Sequence, residues 1–304
     1  MKVVFFGTPD FALPALEVLN QSEKFEVISV ITQPDKKIGR SQILMPPPVK
    51  EHALNLGLKV FQPNNQAELK EYLKNFEADF YVVIAFGMIL DEKILKMPKK
   101  ACINVHASLL PKYRGASPIQ ESLLNGDKET GISIIKMNEK MDQGDILMIQ
   151  RINIDEEDNT DTLRKKLAYL SGLLLPYVLE DYKMGHINPI PQNHEKATYC
   201  KKIKKEDAEI KKSMNAKKVI NMIKAFTPWP NVYTFFKNKK MFILETKIST
   251  NAVPKGEFKK HDNKLYLGFG NNSLEITKLK LEGKKEMDAK AFLNGYGKKI
   301  NSIN

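Results

Sequence analysis

Cysteine is scarce, with two in 304 residues, Cys102 and Cys200. They lie far apart and form no CxxC pair, so the sequence offers neither a disulfide framework nor a zinc site, and both are expected to be reduced thiols with no metal. Long apolar runs are missing as well. The opening KVVFF burst meets a Gly-Thr-Pro-Asp turn too early for a signal peptide, and the later stretch LLLPYVL is short and flanked by charge. No targeting or membrane-spanning segment is visible, so a cytoplasmic protein without a membrane partner is expected. Arginine is rarer than a basic chain would suggest: Arg40, Arg114, Arg151 and Arg164 are the only ones. Tryptophan occurs once, at Trp229.

What the chain does have is positive charge, unevenly placed. The net formal charge is +12. Residues 201–304 hold 24 lysines against 10 carboxylates, a surplus of +14, which leaves residues 1–200 at −2. Such a surplus points to an anionic partner, the plainer alternative being a lysine-rich proteome. An apolar fraction of 42% and a charged fraction of 28% exclude collagenous, mucin-like and wholly disordered chains. The length is about twice that of a typical domain, so two domains are expected.

Apolar β-rich runs recur at 2–6, 26–32, 58–61, 79–86 and 101–106. Helical spacing lies between them at 10–19, 49–55, 66–75 and 90–95. Strand and helix alternating in this way predict an α/β fold with a mostly parallel sheet covered on both faces and ligands at the carboxyl ends of its strands. Two long loops break the rhythm. One is the Pro-rich insertion 33–48, carrying Lys36, Lys37 and Arg40, and the other is 107–118, directly after the fifth strand. A hairpin and a helix over 161–183 follow. Residues from 186 lose periodicity and read as a linker, after which one helix and several short alternating segments predict a small β-barrel or sandwich.

The densest chemistry is INVHASLLPKYRG with MDQGD downstream. Asn104 and His106, two apart on a strand, project from one face. Asn104 can donate to a developing oxyanion, and His106 can carry a proton near neutral pH. Asp142, in a tight loop beside Gly144, can fold back on the imidazole, orienting it and favouring its charged form. The plainer alternative is a buried histidine bonded to backbone, with Asn104 and Asp142 as turn formers. Near the start, GTPDFA after Gly7 lacks the further glycines of a dinucleotide fingerprint, so NAD is not expected.

NVHASLLPKYRGASPIQ and MDQGD are joined by FGTPDFA, TQPD with GR in the insertion, VVIAFGMIL, and the C-terminal FTPWPNVYTFF and GKKEMDAKAFL. Together they resemble the methionyl-tRNA formyltransferase family along nearly the whole chain. The resemblance implies a Rossmann-like formyltransferase domain at 1–185, a linker at 186–206 and a basic OB-like β-barrel domain at 207–304. It also implies transfer of the formyl group of 10-formyltetrahydrofolate, the co-substrate, to the α-amino group of initiator methionyl-tRNA by a cytoplasmic monomer. Asn104, His106 and Asp142 match the family's catalytic trio. Ser108, Leu109, Leu110 and Pro111 match its folate-contacting segment, with Phe86 to Leu90 lining the same pocket. The insertion matches the tRNA-acceptor loop, with Arg40 at its GR arginine and Lys36 and Lys37 beside it. Ser41 and Gln42 stand where the family commonly has further lysines.

The rival within enzymes is a folate-dependent formyltransferase acting on a small amine such as glycinamide ribonucleotide or a nucleotide amino-sugar, which does not call for a basic insertion. An RNA-binding protein on a dead formyltransferase fold would lack a catalytic residue, whereas all three are present. A folate hydrolase would have no use for a tRNA loop. Trp229, between two prolines, is expected to be a packing anchor.

No basic residue after position 200 is arginine, and lysine acts as a point charge without forked base readout. Lys201, Lys202, Lys204 and Lys205 are therefore expected to hold the tRNA backbone. Replacing them in pairs is predicted to raise the apparent KM for tRNA and flatten its salt dependence. An unchanged KM and salt slope would overturn this assignment.

Overall fold

The structure, a computed structural model, describes residues 1–39, 42–270 and 272–300. They divide into two compact units. The first comprises Met1–Pro118, Glu129–Ile154 and Leu163–Lys201, and the second Ile119–Lys128, Asp155–Thr162 and the chain from Lys202 onward. The second unit thus takes two short pieces from within the span 1–185.

The strands of the first unit are β1 (Lys2–Gly7), β2 (Glu26–Ile31), β3 (Lys36–Ile38), β4 (Ile43–Met45), β5 (Val60–Phe61), β6 (Phe80–Ile84), β7 (Ala101–His106), β8 (Arg114–Gly115), β9 (Glu129–Lys136), β10 (Asp145–Asn153) and β11 (Tyr199–Cys200). Seven form the main sheet in the order β10-β9-β7-β6-β1-β2-β5. β5, β2, β1, β6 and β7 run parallel, and β9 turns back antiparallel to both β7 and β10. The unbroken apolar runs of the sequence are the inner strands, since a parallel strand between two helical layers has no solvated face. All five residues of β6 are buried.

The chain leaves β1 first towards β2 and β5 and later towards β6 and β7. The carboxyl ends of β1 and β6 therefore mark the switch point where open α/β sheets bind ligands. Gly7 ends β1 there. A Cβ on it would meet Ala12 Cβ and Phe5 Cε1, both at 2.9 Å, so glycine lets the following helix start against the strand end.

The insertion 33–48 is expected as a loop. Its middle is instead a hairpin, β3 against β4, too short for alternation to reveal it in the sequence. Its base is clamped, because the Asp35 carboxylate accepts from Lys50 Nζ at 2.8 Å to each oxygen and from Gln62 Nε2 at 2.7 Å. The Lys50 hydrogen bond, followed by that of Gln62, holds the Asp35 carboxyl below the usual range.

In the second unit, helix Ala216–Phe226 is capped by Asn215, whose Oδ1 accepts from Lys218 N at 2.8 Å. The following strands Tyr233–Phe236, Lys239–Ser249, Phe258–His261, Lys264–Gly268 and Ser273–Leu281 form a curled antiparallel sheet, with Glu286–Asp288 paired to Ser273–Leu281. The barrel expected from the sequence is not closed by hydrogen bonds among the described residues. Its outer strands approach through the Phe236 and Phe258 rings, 6.0 Å apart, and Phe292 and Tyr296 of the last helix pack on Phe236. Trp229 is not the packing anchor the sequence suggests, since 53% of its surface is exposed. Phe226, Val232 and Tyr233 fill the core on either side and leave Trp229 at the apex of the turn.

Both thiols are buried, and burial pushes the Cys102 thiol well above its ordinary pKa. Neither cysteine of the native protein is expected to react with a thiol reagent at pH 8 within minutes, whereas both should react after unfolding. Rapid native labelling of either would contradict this packing.

Candidate active site

Parity places the site on β7. Cys102, Asn104 and His106 share one face, and register sets Val4, Tyr81 and Cys102 in one row and Phe6, Val83 and Asn104 in the next. The apolar members of these rows lie in a buried cluster with Ile31, Leu69, Leu73 and Phe86. At the carboxyl end of β7 the face turns polar, and Asn104 stands in line with Phe6 and Val83 of the neighbouring strands. It is half-buried, and its amide makes no hydrogen bond among the described residues.

His106 is buried, with Nε2 2.9 Å from the Tyr113 carbonyl. A carbonyl only accepts, so Nε2 carries the proton and Nδ1 is the nitrogen left to exchange one. Nδ1 lies 3.6 Å from Asp142 Oδ1, too long for a hydrogen bond but close enough for an ion pair when the ring is charged. The ring is therefore oriented by the Tyr113 backbone, as the plainer reading of the sequence expects, while Asp142 supplies a charge beside the exchangeable nitrogen. Asp142 itself sits at φ 54°, and its Oδ2 accepts from the Gly115 N–H at 2.8 Å.

The loop after β7 is closed from within. Ser108 is wholly buried, and its hydroxyl donates to the Lys112 carbonyl at 2.6 Å. Ser133 on β9 donates to the Ser108 carbonyl at 2.7 Å and accepts from Leu110 N at 3.0 Å. The polar groups of this segment thus face inward, with Leu110 buried and Leu109 and Pro111 partly exposed. After β6, Ala85 and Gly87 are exposed at positive φ of 48° and 87°, and the Phe86 carbonyl accepts from Thr8 Oγ1 at 2.8 Å. A non-glycine residue held in the left-handed region after a buried strand marks the 85–90 loop as a shaped edge of the switch-point crevice.

Within the stretch 186–206 expected as a linker over the surface, residues 190–200 form a strap bonded to the site. Ile190 bridges Ile146, Thr198 accepts from Arg114 N at 2.9 Å, and Cys200 lies beside Gly115 in the β8–β11 pair. Gln192 joins Arg114 to the Asp142 turn. Sequence reasoning missed Arg114, Gln192, Thr198 and Cys200 because two-residue pairings leave no periodicity. The one available signal was Arg114, a rare arginine inside the motif.

Of the residues expected to contact tRNA, Lys36 and Lys37 are exposed on β3, and Arg40 lies outside the described residues. Lys201, Lys202, Lys204 and Lys205 are all exposed, the first in the first unit and the others in the second. Among the described residues no cluster of three or more His, Cys, Asp or Glu could hold a metal, and no helix is long and apolar enough to cross a membrane.

A crevice-edge Asn, His and Asp set on a mostly parallel sheet, followed by a curled antiparallel unit, is the architecture of a formyl transferase. The chain belongs to that family: residues 1–179 match Formyl transferase and residues 202–297 match Formyl transferase, C-terminal domain. Relatives named methionyl-tRNA formyltransferase are similar to it along almost its whole length. One from Thermodesulfovibrio yellowstonii is 40% identical over 302 residues, covering 98% of this chain and 96% of its own. One from Caldicellulosiruptor saccharolyticus is 41% identical over 304 residues, covering 97% of each. The fold is also that of an N-formyltransferase from Helicobacter canadensis, solved with folinic acid and dTDP-3-aminofucose. Its TM-score is 0.68 at 18% identity, covering 91% of this chain and 98% of the other.

Gly115 has φ 115°, and a Cβ there would stand 2.3 Å from the Cys200 carbonyl. Gly115→Ala is expected to destabilise the protein by at least roughly 1–3 kcal/mol from backbone strain alone, read as a lowered denaturation midpoint. An unchanged midpoint would show that the strap is not packed against β8.

Proposed function

We propose that the chain transfers the formyl group of 10-formyltetrahydrofolate to the α-amino group of methionine on initiator methionyl-tRNA. The observation that carries this reading is the grouping at the carboxyl end of β7, with an unengaged Asn104 amide, a His106 Nδ1 free to exchange a proton, and the Asp142 carboxylate beside it. The full-length similarity to proteins named methionyl-tRNA formyltransferase supports the acceptor, and membership of the formyl transferase family supports a folate-derived donor.

The chemistry needs no protein nucleophile. An α-amino group with a pKa near or below about 8 is substantially neutral at cellular pH. Its lone pair attacks the formyl carbon, the C–N bond forms, and the carbonyl electrons move onto oxygen. Asn104 donates to that oxyanion, together with His106 when charged. On collapse the bond to N10 breaks, and the proton lost by the amine passes through His106 Nδ1 to N10. The exposed Ile89 and the partly exposed Met88, Leu109 and Pro111 offer a short apolar wall with backbone groups for the flat pterin, while Phe86 and Leu90 are buried beneath it.

The insertion suits an RNA end. Its hairpin presents Lys36 and Lys37 for phosphate and exposes Ile43, Leu44 and Met45 as apolar surface for unstacked bases. Arg40, which lies outside the described residues, brings to the insertion a guanidinium that can fork or stack. The lysines from Lys201 to Lys205 supply backbone attraction, and the enzyme works as a cytoplasmic monomer.

His106→Ala and Asp142→Ala are expected to lower formylation by about 100-fold or more while the protein still folds. Asn104→Ala is expected to remove about 3 kcal/mol of transition-state stabilisation. Labelled 10-formyltetrahydrofolate offered with initiator methionyl-tRNA, elongator methionyl-tRNA or glycinamide ribonucleotide tests the acceptor. Formylation of the first alone is expected, and turnover of the ribonucleotide would favour the small-amine alternative.

A further inference from the structure

We propose that Gln192 is a positioning residue for formyl transfer, anchored by Arg114, and that it acts by holding the turn that aims Asp142. The proposal rests on the reading of Asp142 as the partner of His106. Gln192 is buried, and its carboxamide is engaged at both ends. Nε2 donates to the Asp142 carbonyl at 2.9 Å and to the Gly144 carbonyl at 2.7 Å, while Oε1 accepts from Arg114 Nε at 3.2 Å and Nη2 at 2.7 Å.

Arg114 decides which way this amide faces. It is 1% exposed, and among the described residues no carboxylate pairs with it. Its remaining contacts are the Tyr199 hydroxyl at 3.2 Å from Nη1, the Tyr199 ring, and His194 Nδ1 at 3.0 Å from Nη2. A guanidinium only donates, so His194 Nδ1 is the acceptor and carries no proton. With two forked donors on Oε1, the amide cannot flip, and its NH2 is committed to the carbonyls of residues 142 and 144.

The turn needs such a hold. Asp142 has φ 54°, a region that costs a non-glycine residue and persists only where surroundings fix it. Gly115 N–H fixes the carboxylate, and Gln192 fixes the carbonyls of Asp142 and Gly144, the residues on either side of Gln143. Both holds lead back to the adjacent residues Arg114 and Gly115. A carboxylate set at 3.6 Å from His106 Nδ1 by these bonds has little tolerance for movement of the turn.

Gln192→Glu keeps an acceptor for Arg114 but sets an oxygen against the two carbonyls. The test is single-turnover formylation by four full-length proteins: wild type, Q192E, D142A and the double variant, each first shown by thermal melting to be folded. Q192E is expected to lower the rate about 10- to 100-fold, with KM for folate and tRNA within about threefold of wild type. In the D142A background the same substitution is expected to change the rate by less than about threefold, because it acts through Asp142.

A wild-type rate for Q192E beside a slow D142A would overturn the proposal, as would an equal fold-loss in both backgrounds, the mark of a merely structural role. A wild-type rate for D142A would instead overturn the reading of Asp142 itself. Should Q192E not fold, the exposed pair His194→Ala with Tyr199→Phe removes two contacts that fix Arg114. It is expected to slow turnover at least about threefold at unchanged KM, and a wild-type rate would again overturn the proposal.

Discussion

The hydrogen bond from the Gly115 N–H to the Asp142 carboxylate joins segments that are otherwise remote in sequence. Gly115 belongs to the loop that follows His106, Asp142 to the turn between β9 and β10, and the strap that pairs with Gly115 arrives from residues 190–200. None of these segments is a regular element of the sheet, so each needs an external partner to have one conformation. The contact supplies it for all three. His106 is then placed by the same loop, through the Tyr113 carbonyl two residues before Gly115. The sheet provides a rigid edge, and the irregular chain beyond it is made rigid by bonding to itself.

The charge is divided unevenly along the chain. The first 200 residues are near neutral and carry the grouping at the end of β7, while the surplus of +14 lies after residue 200. Within the near-neutral part the insertion is an exception, a short basic hairpin whose base is fixed by Asp35, Lys50 and Gln62. That clamp fixes where the hairpin leaves the sheet while its lysines and apolar residues remain exposed. A transferase with a very large acceptor benefits from such a division, because weak attraction spread over many lysines brings the acceptor in and a short, anchored element presents its end to the chemistry.

Much of this was legible in the sequence for identifiable reasons. Strands such as KVVFF and DFYVVIAF are unbroken because both their faces are covered, and Asn104 and His106 declare their shared face by simple parity. The hairpin in the insertion, the strap and the fully paired Gln192 were not legible. The β11 pairing of the strap spans 85 positions and the bonds of Gln192 span 48 to 78, the hairpin pairs residues 5 to 9 apart, and pairings only two or three residues long impose no period on the sequence. Trp229 misled for a related reason: a large apolar residue is usually buried, but at the apex of a turn its neighbours occupy the core first.

The described arginines of this chain serve different ends. Arg151 pairs with Glu129, Arg164 with Asp10, and Arg114 lies buried among neutral acceptors. Arg151 and Arg164 each serve as a charge beside a carboxylate, a duty that lysine also meets. Arg114 is the position where lysine cannot substitute, because one ammonium cannot reach an amide oxygen, a phenol and an imidazole in three fixed directions. Among the described arginines, Arg114 is thus the one whose bonds are set by direction and not by charge.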